Sequence, residues 1–262
     1  MPRYAKTGKM TGKSAADTWG ADRWVAGVDG CPGGWLVAFV RAAASEVRLR
    51  IVPQFAEVLA AAESAAVIAI EIPIGLPARA GRGGRAPERL VRPLLGERQS
   101  SVFSVPSRAA LAAADYRKAC AVALATSDPP RKISKQLFMI APKIRAVDQS
   151  LRMDPQASDR VFEVHPELAF WRLNTGRALD EPKKIKGRCN DRGLAVRRGL
   201  LVAAGFAESV VHAEPPKGAG EDDLLDALAC AAIAQRIAEG RARPFPDPPE
   251  RDEHGLRIAI WA

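Results

Sequence analysis

An α/β fold built on a mixed sheet follows from three observations. Trp24 to Val28 and Ala66 to Ile72 are apolar, β-branched runs of the kind buried on both faces of a sheet. Trp35 to Val40 follows the first run after a cluster of turn residues, and Glu46 to Val52 alternates apolar with polar as a half-buried strand does. Phe55 to Glu63, alanine-rich with apolar residues at helical spacing, separates the third strand from the fourth. Three strands, a helix and a fourth strand predict an antiparallel meander joined by a helical crossover to a parallel neighbour.

The first strand runs into Asp29-Gly-Cys-Pro-Gly-Gly34, whose Gly and Pro residues reverse the chain into a hairpin. From Gly75 the pattern changes. Gly81, Gly83 and Gly84 are interleaved with Arg79, Arg82 and Arg85 in a flexible loop. Leu90 to Leu95, Ala109 to Ala125 and Ser134 to Val147 read as helices, with Pro93 and Pro142 breaking or bounding two of them. This is a long helical insertion at about 77–157. Arg160 to Val164 resumes the sheet, and Pro166 suits the first turn of a helix from Glu167 to Leu173. Asp191 to Ala204 is a helix, Val210-Val211 a short strand or loop, and Asp222 to Glu239 the last long helix. Pro244 to Pro249 reads as a proline-rich linker and Leu256 to Trp261 as a terminal strand. Residues Met1 to Asp22, polar and basic without the apolar stretch of a secretory signal, read as a disordered tail, with a transit peptide the weaker alternative. Residues 23–262 then form the domain.

A chain of 262 residues with 47% hydrophobic content can bury a sizeable core. No apolar run is long enough to span a bilayer, which argues against a membrane partner. Cys31, Cys120, Cys189 and Cys230 form no CxxC pair, which argues against zinc knuckles and disulfide frameworks and fits a reducing cytoplasm. The net charge of +9 is confined: Pro77 to Pro155 holds 15 Lys/Arg against 6 Asp/Glu, and the remainder balances. A second cluster, Lys183 to Arg198, has 7 Lys/Arg against one Asp. Such segments suit a polyanionic partner, although arginine-rich composition alone also produces them.

Acids intrude on apolar elements in three places. Asp29 is either a turn residue, as in many Asp-Gly pairs, or a carboxylate that needs a cation. Glu71 is the only charge in Val67 to Ile72 and stands near the end of its strand, as Asp29 does. It is either an edge residue paired with arginine or a ligand at a strand C-terminus. Glu221, Asp222 and Asp223 open the last helix, where capping and the helix dipole favour acids. Asp226 lacks that reason: from Leu224 to Ala234 it is the only side chain that is neither apolar nor Cys. At 100° per residue it lies beside Asp222 and Asp223, and a buried pair of carboxylates calls for a cation or a proton. Asp29, Glu71, Asp223 and Asp226 thus form a candidate set of hard oxygen ligands, suited to Mg²⁺ or Mn²⁺. Glu163 and His165 flank Val164 and point the same way on a strand, as a further ligand and a water- or phosphate-orienting group, or as part of a His-Pro-Glu capping turn. Lys183, Lys184, Lys186 and Arg188 around Gly187 are phosphate contacts or a solvated loop.

Gly-Val-Asp-Gly-Cys-Pro-Gly-Gly-Trp35, Glu-Ile-Pro-Ile-Gly-Leu76, Ser-Val-Phe-Ser-Val-Pro-Ser-Arg108, Phe-Glu-Val-His-Pro-Glu167, Lys183-Lys184 with Gly187, and Asp222-Asp-Leu-Leu-Asp-Ala227 together resemble family 429 of the domains of unknown function. The resemblance covers roughly Trp24 to Trp261. That family is regarded as predicted nucleases of ribonuclease H-like fold. The resemblance therefore implies a five-stranded mixed sheet flanked by helices, with divalent metal at the carboxylates. The family pattern has Asp where Glu71 stands, although Glu serves in resolvase-type members of the wider fold.

The expected function is divalent-metal-dependent hydrolysis of nucleic acid. Asp29 bridges two metals, and Glu71, Asp223 and Asp226 complete the shell. Glu163 and His165 assist, and Arg108, Lys143, Lys183, Lys184 and Arg188 hold the backbone without reading sequence. The insertion is expected to turn its arginines towards the acids. DNA and RNA are equally suited, and self-association into a homo-oligomer is compatible with the sequence. The rivals are an actin-like ATP-binding phosphotransferase, which opens with a similar Asp-Gly hairpin but needs a second such domain, and a non-catalytic nucleic-acid-binding protein.

Overall fold

The computed structural model describes residues 23–41 and 46–262. The expected tail, Met1 to Asp22, lies outside the described residues. Strands β1 (Trp24–Cys31), β2 (Gly34–Arg41) and β3 (Val47–Val52) form the antiparallel meander. Helix α1 (Phe55–Leu59) leads to β4 (Val67–Ile70), which lies parallel to β1 with Val28 opposite Ile70. Strand β5 (Val161–Glu163) adds parallel to β4. The five-stranded order β3-β2-β1-β4-β5 is mixed and consistent with a ribonuclease H-like fold.

Alternation along β1 sorts its side chains between two cores. Trp24, Ala26 and Val28 join the core under the insertion, while Val25 and Cys31 join the core under the last helix, α10 (Glu221–Ala238). Gly27 lies on the α10 side. A Cβ there would stand 2.0 Å from the Ala227 carbonyl oxygen and 2.2 Å from the Ala231 nitrogen, so only glycine admits the helix backbone this close. Asp226 precedes Ala227 and Asp29 lies two residues beyond Gly27, so this approach sets the carboxylates together. Helices α7 (Pro166–Leu173) and α8 (Asp191–Ala203) complete that layer, and α9 (Glu208–Val211) replaces the expected strand or loop at Val210-Val211.

The insertion comprises α2 (Ala86–Val91), a 3-10 stretch (Arg92–Ser101), α3 (Arg108–Ala112), α4 (Tyr116–Ala125), α5 (Lys135–Met153) and α6 (Pro155–Arg160). Leu137, Ala141, Ile144, Val147 and Leu151 on α5 are buried at helical spacing against β1, β2 and β4. Pro142 does not end this helix. It faces solvent, where water can reach the carbonyl its missing N–H would have met.

Two further hairpins flank the sheet. β6 (Lys184–Ile185) pairs with β7 (Arg188–Cys189), and Lys186 and Gly187 both take positive φ at the turn. The expected linker Pro244 to Pro249 is instead part of β8 (Pro244–Arg251), paired with β9 (Arg257–Trp261). The register breaks between Phe245 and Glu250, and that irregular stretch accommodates prolines that cannot donate to a ladder. No helix among the described residues is long and apolar enough to cross a membrane. All four cysteines are free thiols.

Candidate metal centre

Three acids from three elements meet at the C-terminal ends of β1 and β4. Asp29 lies near the end of β1, where its Oδ1 accepts the Gly30 N–H at 2.7 Å. Glu71 follows β4 directly, and its own N–H donates to the Val28 carbonyl at 3.0 Å. The parallel register therefore sets Glu71 beside Asp29, both on the α10 face. Asp226, 1% exposed, comes from the second turn of α10. One carboxylate oxygen of each lies within 4.8 Å of the others, the one such group among the described residues.

Burial and mutual repulsion make ionisation of this group costly. Burial raises the Asp29 pKa well above the usual carboxylate range, and the charges on Glu71 and Asp226 raise it further. Burial, followed by Asp226, pushes Glu71 up to about 7. Burial also raises Asp226, against the pull of Lys183. The Lys183 ammonium pairs with Asp226 and feels Glu71 and Asp29 as well, which holds it firmly protonated despite burial. One lysine thus faces three carboxylates, which cannot all ionise without a further cation. Hard oxygen donors, convergent and under-neutralised, fit a divalent cation of the Mg²⁺ or Mn²⁺ kind.

The acids open into a cleft of about 240 Å³, which Lys143, Glu163, His165, Lys183 and Asp223 also line. Asp223 is not drawn into the converging group. Its Oδ2 accepts the Gly220 N–H at 2.8 Å and caps α10, so three of the four expected carboxylates converge and Asp223 stands at the rim. Asp222, one of the three acids expected at the helix start, is buried and takes Lys184 at 2.6 Å.

Glu163 and His165 share the cleft, as the alternation of their strand predicted, but neither joins the cluster. Glu163 accepts both guanidinium nitrogens of Arg85, at 2.6 and 3.0 Å, and the Ile74 N–H at 2.8 Å. Arg85 also holds Glu88, with Nε to Oε1 at 2.8 Å. His165 stands at the start of α7 with Nε2 3.3 Å from the Ser101 carbonyl, which makes Nε2 the donor. Burial pulls its pKa down to about 4, so the ring is neutral at pH 7, and Nδ1 has no partner.

The expected backbone contacts are mostly spent within the molecule. Arg108 binds Asp148 at 3.1 Å, Asp252 at 2.5 Å and Glu253 at 2.7 Å, and lines a different hollow, so its cation is unavailable at the cleft. Lys183 and Lys184 neutralise Asp226 and Asp222. Arg188 is exposed on β7. Lys143 does reach the cleft, with its ammonium 4.5 Å from the Trp35 ring centre and bonded to the Gly34 carbonyl. The insertion's arginines do not converge on the acids as a group: Arg85 lines the acidic cleft, while Arg92 and Arg131 line a neighbouring hollow.

Two features escaped the sequence reading: Lys183 as the cation of the carboxylate cluster, and the Arg85–Glu88–Glu163 network. The i,i+3 spacing of Arg85 and Glu88 was a visible sign of the second. Nothing local marks Lys183, which lies 43 positions from Asp226.

No curated protein and no solved structure matches the chain. A family model described as "Protein of unknown function (DUF429)" matches residues 27–251, a span that holds all three converging acids, Lys183 and the insertion. The chain belongs to that family.

Proposed function

We propose that this protein is a divalent-metal-dependent nuclease, hydrolysing phosphodiester bonds at the Asp29–Glu71–Asp226 cluster. The observation that carries the reading is the convergence of three carboxylates, two buried and Glu71 partly buried, from two parallel strand ends and a helix, with one lysine among them. Those three residues would hold the metal. When bound, it supplies a water of lowered pKa and stabilises charge on the phosphate oxygens.

The chain's own groups account for the rest. Lys143, at the cleft wall, offers a positive charge to a phosphate oxygen. Lys183, facing the acids, is placed to neutralise developing negative charge or to release its carboxylate to an incoming cation. Arg85 and Glu163 are bonded to each other, to Glu88 and to the backbone at Ile74 and Gly75, and brace the wall. Neutral His165 lines the cleft, tied by Nε2 to the Ser101 carbonyl with Nδ1 buried and without a hydrogen-bond partner, and would shape the pocket beside the acids. An actin-like phosphotransferase is less well supported: it needs a second domain of the same kind, and the described residues form one five-stranded sheet and two small hairpins.

The test is incubation of labelled single-stranded, duplex and branched DNA and RNA with Mg²⁺, Mn²⁺ or EDTA, wild type beside Asp29→Asn. Cleavage that needs metal and is lost in the variant by at least about a hundredfold is expected, since a metal ligand is removed. Cleavage in EDTA, or full activity in Asp29→Asn, would refute the assignment.

A further inference from the structure

Beside the carboxylate cleft lies a second hollow, of about 590 Å³. It is bounded by the glycine loop at 80–84, the segment 99–106 and the chain entering α5. The two hollows share Val102, Phe103 and Val105 as a common wall. The charge of the second is opposite: Arg92, Arg131 and Lys132 line it, and no Asp or Glu does.

Arg92 has a structural task that leaves its charge unbalanced. Its guanidinium donates to the Gly83 carbonyl at 2.5 Å, the Val102 carbonyl at 3.0 and 3.1 Å, and the Ser104 hydroxyl at 3.0 Å. These bonds tie the glycine loop to the shared wall, but every acceptor is neutral. Glu88, whose charge reaches Arg92, is already held by Arg85. Burial and the nearby Arg131 both pull the Arg92 pKa down. Arg131 and Lys132 have exposed side chains and no ion pair among the described residues. Gathering three cations without an acid is unfavourable until an anion joins them.

Neutral donors stand around the same space. Gln99, Ser100 and Ser104 line it. Ser134, also in the lining, caps α5 by accepting the Leu137 N–H at 3.2 Å, so the positive end of that helix opens here. Phe103, partly exposed on the common wall, offers a ring on which a base can stack between the two hollows.

We propose that this hollow is a phosphate subsite. It binds a backbone phosphate of a nucleic-acid strand whose scissile bond lies in the carboxylate cleft. The anion site stands on its own charges, whereas the strand's placement rests on the nuclease reading. The substrate is then a strand of several nucleotides and not a mononucleotide.

Binding of a fluorescein-labelled 15-nucleotide DNA in EDTA, followed by anisotropy across a salt series, tests the proposal with cleavage switched off. Arg131→Ala/Lys132→Ala removes two exposed side chains without disturbing the core. It should weaken binding about tenfold and flatten the salt slope by about 1.4, two single-strand phosphate contacts' worth. Arg117→Ala/Arg177→Ala, which removes two exposed arginines outside both hollows, should change little. Equal losses in the two double variants, no loss in the first, or no strand binding by wild type would each overturn the proposal. Displacement of the strand by inorganic phosphate at constant ionic strength, as effective per phosphate as unlabelled strand, would assign the hollow to free phosphate and overturn the strand. A protein that binds through the hollow but never cuts would refute the nuclease reading alone.

Discussion

Two buried charge clusters share the wall of one cleft, and they solve the same problem differently. Glu88 and Glu163 are matched to Arg85, a permanent cation whose planar fork satisfies both, with the Ile74 N–H completing the shell. Asp29, Glu71 and Asp226 have only Lys183, which reaches in from the segment before β6 and remains partly exposed. The first cluster is closed and holds the glycine loop to β5. The second is short of positive charge and open to the cleft. Burial of acids is therefore no sign of function by itself: both clusters hold more carboxylates than cations, but the oxygens of Glu88 and Glu163 are all hydrogen-bonded, whereas Lys183 bonds Asp226 alone of its three acids.

The largest expected difference between the clusters comes from removing their cations. Arg85→Ala leaves two buried carboxylates without a partner and should cost about 3–5 kcal/mol. At about 2–4 °C per kcal/mol for a chain of this size, the melting temperature should fall by roughly 10 °C or more. A fall of a degree or two would mean that water reaches Glu163 and that the network is not closed.

Titration tests the two clusters next, since burial pushes Glu163 up to about 7 as it does Glu71, and a variant at Glu71 isolates the second. Glu71 has a folded pKa of about 7 against 4.5 for the free side chain. Between those values the folded state keeps a proton that the unfolded chain has released, so Glu71 lowers stability progressively as pH rises from 4.5 to 7. Glu71→Gln should therefore gain on wild type across that window, by on the order of 2–3 kcal/mol, and hold the gain above it. His165 works oppositely, since its folded pKa of about 4 lies below the ordinary 6.5 and acid favours the unfolded chain. Melts in EDTA must accordingly be read as the variant-minus-wild-type difference. A difference independent of pH would show that Glu71 is ionised and paired throughout.

The smallest effect sharpens the comparison most. If Lys183 is a displaceable cation, Lys183→Met should tighten Mn²⁺ binding about tenfold in calorimetry, because the ion no longer competes with an ammonium for Asp226. Unchanged or weaker binding would make Lys183 a fixed part of the site, as Arg85 is of its own.

The sequence by itself determined much of this. The unbroken apolar runs around Trp24 and Ala66, the hairpin at Gly30 to Gly34 and the α1 crossover specify the order of the first four strands, since periodicity and turn chemistry act within short windows. Asp226 stood out because one charge on an otherwise apolar helix face has no local reason to be there. Tertiary structure alone decided which acids meet. The contact of Gly27 with Ala227 and Ala231, and the register of Val28 on Ile70, bring Asp29, Glu71 and Asp226 together, while capping holds Asp223 back. It also decided that Arg108 and Lys184 are spent on acids and that Pro244 to Arg251 is a strand. Charge counts along a chain cannot tell a free cation from a paired one. Pairing is a matter of distances in space, and those are set by packing between segments that lie far apart in sequence.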